Sequence, residues 1–139
     1  ALKLSEIVFA QALRSYLQGA GADRPVLAAF ADPDISRALK AIHDAPDHPW
    51  SLDELAGVAC MSRTSFAGKF TSAMAMPPLG YITRWRMQLA RQLLVETHAP
   101  VIEIAERVGY HSEAAFGRVF KRTFDTGPAA YRRSARPSA

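Results

Sequence analysis

The sequence predicts an all-α fold in which two helix-turn-helix subdomains are joined by a long central helix. Three observations lead there. Apolar residues recur at helical spacing along most of the chain. Strand signals are nearly absent, with no alternating β-branched runs and no Asn-Gly or Asp-Gly hairpin turns. A five-residue pattern also repeats: Ser62, Phe66, Phe70, Pro78 and Tyr81 return fifty positions later as Ser112, Phe116, Phe120, Pro128 and Tyr131. Before the turn, Leu55-Ala56 matches Ile104-Ala105 at a distance of 49, so the second turn is one residue longer. Two units are too few for an open-ended solenoid.

The elements follow in order. Leu4, Val8, Ala12, Leu13, Tyr16 and Leu17 form an apolar helical stripe that stops at Gly19-Ala20-Gly21, and "GAGADRP" reads as a linker. Asp34 is expected to cap a helix carrying Ile35, Ala38, Leu39 and Ile42, ended by "APDHP". Ser51 and Glu54 have capping-box spacing, opening a two-turn helix with Leu52, Leu55, Ala56 and Val58. "ACM" breaks it. Ser62 caps the next helix, which carries Phe66 and Phe70. Pro77-Pro78 stops that helix and pre-sets the first turn of a longer one. The long helix runs to about Glu96, with Ile82, Trp85, Leu89 and Leu93 inward. The pattern then restarts with Val101, Ile102, Ile104, Ala105 and Val108, a turn at "GYH", a cap at Ser112, and Phe116 and Phe120 inward. Pro128, Ala130 and Tyr131 form a last short helix before the polar tail.

With 139 residues and 49% hydrophobic content, the chain can bury a core,. No apolar run approaches the roughly 18 residues of a membrane span. Because it starts at Ala1 without a Met, it reads as a piece of a longer protein. Cys60 is the one cysteine; this excludes an internal disulfide and suits a reducing cytoplasm. Charge is uneven: residues 1–50 carry five cations and six anions, residues 51–139 twelve and seven. Residues 107–139 alone hold seven cations against Glu113 and Asp125. Such a basic third points to an anionic partner, nucleic acid before acidic membrane.

A short helix, a tight turn and a three-turn helix is the layout that places a second helix in the DNA major groove. Ala56 and Ala105 are small, so the paired helices can cross closely. The phenylalanine pairs hold each second helix down and leave its far side free. On a helical wheel with Phe116 inward, Ala114, Arg118, Lys121 and Arg122 fall on that far side. The first unit's equivalents are Thr64, Gly68, Thr71 and Ser72.

The stretches "SLDELAGVACMSRTSFAGKF", "PPLGYITRWRMQLARQLL" and "VIEIAERVGYHSEAAFGRVFKRTFDTGPAAYRR" resemble the C-terminal DNA-binding domain of the AraC/XylS family of bacterial transcription regulators. The resemblance covers about residues 34–134. It implies an all-helical DNA-binding domain at 34–139, with one helix-turn-helix at about 51–75, a linker helix at about 78–96 and a second unit at about 101–124. Base-edge contacts are then expected from Thr64, Ala67 and Gly68 in the first unit, and from Glu113, Ala114, Ala115 and Arg118 in the second. Ser62 and Ser112 open the two reading helices. Arg63, Lys69, Lys121 and Arg122 supply charge for phosphates. Residues 1–33 resemble the tail of a cupin-type regulatory domain whose barrel is missing. Family members commonly end each reading helix with Gly in the left-handed region. Here Ala75 and Asp125 stand instead, and since Ala resists that conformation the first reading helix is expected to end differently.

The resemblance implies operator DNA as the partner and RNA polymerase if the protein is an activator, without a membrane. The apolar stripe of residues 1–33 is expected to pack against another copy, as a homodimer, or to fold back on the domain. The competing reading is a helical module whose basic face binds an acidic protein or a membrane. His43, His48, His98 and His111 are scattered without i,i+4 partners, so neither metal nor cofactor is expected. Cys60 is expected to be a small buried filler. No phosphate loop or catalytic carboxylate pair argues for an enzyme.

Overall fold

A computed structural model describes residues 32–136. The expected apolar stripe, the linker and the tail of a regulatory domain within residues 1–31 lie outside them. The described residues form seven helices and no strand: α1 (Pro33–Asp44), α2 (Leu52–Val58), α3 (Arg63–Met74), α4 (Pro78–Glu96), α5 (Val101–Arg107), α6 (Glu113–Phe124) and α7 (Pro128–Ala135). The chain divides into two compact units with the boundary inside α4, between Ile82 and Thr83.

In the first unit α1 packs on α2 and α3, and α2 on α3. Asp32, not Asp34, caps α1: its Oδ1 accepts from the Asp34 and Ile35 amides at 2.9 and 3.3 Å. Pro33 occupies the first helical position, where its missing N–H costs nothing, and Asp34 falls in the first turn. Ile35, Ala38, Leu39 and Ile42 are fully buried. The Ser51–Glu54 capping box is formed in both directions. Phe66 and Phe70 are fully buried with ring centroids 5.6 Å apart, and Phe70 meets Tyr81 edge-on at 5.8 Å.

The second unit repeats this arrangement with α5 on α6 and α6 on α7. Its core gathers Met87, Ala90, Leu94, Ile104, Ala105, Val108, Phe116 and Phe120. Along α4 the fully buried line is therefore 87, 90 and 94, while Leu89 and Leu93 are half-buried at its margin. Of the four residues expected inward on α4, Ile82 and Trp85 are buried, and only Leu89 and Leu93 fall short of the core line.

Two turns show how close the repeat is. The Met61 amide donates to the Ala56 carbonyl and the Tyr110 amide to the Ala105 carbonyl, both at 2.9 Å. Just before these residues the backbone turns left-handed, at Cys60 (φ 58°) and at Gly109 (φ 94°). Cys60 is exposed, so it is no buried filler: that backbone conformation carries its side chain out of the core. The ends of the reading helices also agree. Ala75 (φ 62°, ψ 22°) and Asp125 (φ 62°, ψ 11°) are both left-handed, and each amide bonds back to the carbonyl four residues earlier. The expectation that Ala75 would end α3 differently is overturned. Its amide needs the Thr71 carbonyl, and the chain must turn within two residues to begin α4 at Pro78.

Arginines finish two other helix ends. Arg37 on α1 donates to the Val58 and Ala59 carbonyls at the end of α2. Arg132 on α7 donates to the Leu94 and Thr97 carbonyls, and Arg136 to those of Val95 and Thr97. Carbonyls at a helix C-terminus lack intrahelical donors and carry partial negative charge, so guanidinium groups suit them. Two of the seven cations in the basic C-terminal third thus hold the end of α4.

Candidate nucleic-acid interface

Each unit offers its second helix as a candidate reading helix, α3 in the first and α6 in the second. Ser62 and Ser112 cap them, their hydroxyls accepting from the Ser65 and Ala115 amides at 3.2 and 3.0 Å. Capping leaves the remaining first-turn amides pointing outward, where partial positive charge favours an anion. The buried phenylalanines pin one side of each helix, which fixes what the other side shows.

On α6 that side shows Glu113, Ala114, Arg118, Lys121 and Arg122, all exposed, with Ala115 half-buried beside them. Among the described residues no ion pair engages Arg118, Lys121 or Arg122. Three cations within five positions, unneutralised and on one side, form a concentrated positive edge. Glu113 lies in the first turn, where its charge also suits the helix dipole.

On α3 the corresponding side shows Thr64 and Gly68, exposed, with Ala67 half-buried. A Cβ built on Gly68 meets nothing within 4 Å. Packing therefore does not require glycine there, although glycine weakens a helix interior. The two cations of α3 differ from those of α6. The Arg63 guanidinium donates to both Asp53 carboxylate oxygens at 2.8 and 3.3 Å. The Lys69 ammonium lies 2.9 Å from Asp32 and 3.5 Å from Asp34. The Lys69 contact holds the Asp32 carboxyl below its ordinary range, and Asp32 in turn holds the ammonium above its own. So the charge that the sequence assigned to phosphates is already engaged on α3 and open on α6.

Sequence reasoning missed these carboxylate partners. Asp53 sits ten positions before Arg63, and Asp32 thirty-seven before Lys69; neither separation is a local helix spacing. On α4, Arg91 lies over the Phe124 ring at 4.9 Å and Arg86 over Tyr110 at 5.8 Å. Both guanidiniums are half-buried on aromatic faces, a cation–π arrangement. Among the described residues no three His, Cys, Asp or Glu side chains gather as metal ligands, and no helix is long and apolar enough to cross a membrane.

A family profile described as "Helix-turn-helix domain" matches residues 55–134. The chain is 40% identical over 129 residues to the HTH-type transcriptional regulator AlkR of Acinetobacter baylyi, covering 93% of this chain and 42% of AlkR. The chain thus spans under half of that relative's length. The solved structure of the DNA-binding domain of AdpA, a global transcriptional factor in complex with a target DNA, superposes with a TM-score of 0.69 at 32% identity, covering 78% of this chain and 99% of that one. A transcriptional regulator with an AraC-type DNA-binding domain from Chromobacterium violaceum shares the fold, with a TM-score of 0.73 at 23% identity over 80% of this chain and 99% of that one. A putative AraC-like transcription regulator of Streptomyces antibioticus is 38% identical over 135 residues, covering 96% of this chain and 45% of that one. The tandem units, the matched profile and these sequence relatives agree: the chain belongs to the AraC-type family of helix-turn-helix transcriptional regulators.

Proposed function

We propose that this chain is the sequence-specific, double-stranded DNA-binding part of a bacterial transcription regulator, with α3 and α6 entering successive major-groove segments. The observation that carries the reading is the surface of α6. Two buried phenylalanines fix the helix, and Arg118, Lys121 and Arg122 stand exposed and unpaired on its free side. Arg118 has the length and planar fork to contact a guanine edge through two hydrogen bonds. Lys121 and Arg122 flank it with charge for phosphates, whereas the matching cations of α3, Arg63 and Lys69, are held by carboxylates, and Glu113 can accept from a cytosine amino group. Thr64, Ala67 and Gly68 offer methyl contacts and a close backbone approach, and Ala114 and Ala115 do the same beside Arg118. The Ser62 and Ser112 caps set where each helix meets the duplex.

One further observation supports this assignment. AdpA's DNA-binding domain, a structural relative, was solved on its target DNA. On this reading the protein works in the cytoplasm, at promoter or operator sites. It recruits RNA polymerase if it activates, and self-association resides in residues 1–33. The family is one of regulators rather than enzymes, so no catalytic residue is assigned.

Fluorescence-anisotropy titration of a promoter-length duplex over a range of salt tests the proposal. Affinity should fall linearly in log–log form, with a slope set by the number of phosphates neutralised. Binding that is insensitive to salt, or confined to acidic proteins or anionic vesicles, contradicts it.

A further inference from the structure

Helices α3, with two cations, and α6, with three cations and Glu113, each carry a net charge of +2, but their cations sit in different electrostatic states. One residue, Asp32, accounts for much of this. Its side chain does two things at once. Oδ1 caps α1 by accepting from the Asp34 and Ile35 amides, while Oδ2 sits 2.9 Å from the Lys69 ammonium. Asp34, in the first turn of α1, adds a second carboxylate oxygen at 3.5 Å. The cap makes the position of the Asp32 carboxylate a consequence of where α1 begins. Lys69 is therefore met by an acceptor already fixed by two backbone bonds, not by a freely rotating side chain. A phosphate oxygen presents the same chemistry to an ammonium: one anionic oxygen at hydrogen-bond distance.

We infer that Asp32 is an intramolecular stand-in for phosphate that lowers the sequence-blind DNA affinity of the first reading helix by occupying Lys69. This rests on the proposed DNA-binding function and assigns a specificity role to a residue that itself touches no base. With Lys69 occupied and Arg63 held by Asp53, α3 meets a random duplex with little free positive charge. The helix then gains by approaching DNA only where Thr64, Ala67 and Gly68 fit the groove. The second helix, with its charges open, supplies the non-specific hold. Asp32 acts through Lys69 and is a positioning residue.

Asp32→Asn separates the two jobs, because Asn caps a helix about as well as Asp but cannot pair with an ammonium. The experiment is a double-mutant cycle at positions 32 and 69 with a mixed-sequence duplex as probe, titrated by anisotropy at several salt concentrations. Asp32→Asn should tighten binding about two- to fivefold, the range expected for releasing an exposed ion pair. The log–log salt slope should steepen by about 0.9, one added phosphate contact. In the Lys69→Gln background Asp32→Asn should lose most of its gain. An equal gain in both backgrounds means that only bulk charge has changed, and it overturns the inference. So does the absence of any gain in a variant whose helix content and melting temperature are unchanged. The underlying reading fails separately: an unmodified chain that binds no duplex in a salt-dependent way removes the DNA-binding function itself.

Discussion

The Nε2 of His43 lies 2.6 Å from the hydroxyl oxygen of Tyr81, a hydrogen bond between α1 and the first turn of α4 within the first unit. The imidazole is 7% exposed. Burial disfavours its charged form and lowers its pKa from 6.5 to about 3. Between those values the unfolded chain binds a proton that the folded chain does not. Stability is therefore fully present above about pH 6.5 and is lost as the pH falls, by up to about 1.4 kcal/mol per unit. Urea denaturation at pH 7, 6 and 5 should show this decline, and His43→Gln should flatten it. A wild-type profile that is level from pH 7 to 5 contradicts the assignment.

Ala75 carries backbone strain that Asp125 largely avoids. Both are left-handed at φ 62°, a region that disfavours a Cβ but is tolerated by Asp. Ala75→Gly should stabilise the chain by about 1 kcal/mol despite the added freedom of the unfolded state. Asp125→Gly should gain clearly less. Thermal melts of the two variants decide it, and a larger gain at 125 than at 75 would reverse the argument.

Much of this architecture was legible because the repeat is carried by side chains with strong and opposite preferences. Phenylalanines at i and i+4 favour a core, Ser before a helical run favours a cap, and Pro favours the first turn of a helix. The features that escaped depend on geometry that no local pattern encodes. Asp32 and Asp34 are equally good caps by composition, and the position of Pro33 decides between them. Cys60 looks like a buried filler until its left-handed backbone turns it outward. The basic tail looked like a nucleic-acid surface throughout, yet Arg132 and Arg136 spend their charge on helix carbonyls thirty-five to forty-one residues away. On the candidate interface, the type of each exposed residue was readable, but not which cations had already found a carboxylate.

Gly68 should separate stability from binding. It lies inside α3, where Gly is about 1 kcal/mol worse than Ala, and an added Cβ meets nothing in the fold. Gly68→Ala should therefore raise the melting temperature while weakening operator binding, since the methyl group intrudes where the backbone approaches the duplex. Equal affinity of the two proteins for the same operator would show that α3 keeps its distance at this position.

The arginines of α7 make the converse case. Arg132→Gln should cost about 1.5 kcal/mol, because guanidinium bonds to the Leu94 and Thr97 carbonyls are lost,. The salt slope for DNA should stay as it was. Chemical denaturation and a salt titration on the same sample read both quantities, and an unchanged stability with a shallower slope would move Arg132 from the fold to the interface.

The central claim is that α6 reads bases through Arg118, and selection of bound duplexes from a randomised library tests it most directly. The unmodified chain should enrich a defined sequence. Arg118→Ala should lose its preference at one or two adjacent base pairs, equivalent to roughly 1–3 kcal/mol of discrimination, and keep it elsewhere. The same enriched sequence from both proteins, with every position equally preferred, would contradict the account.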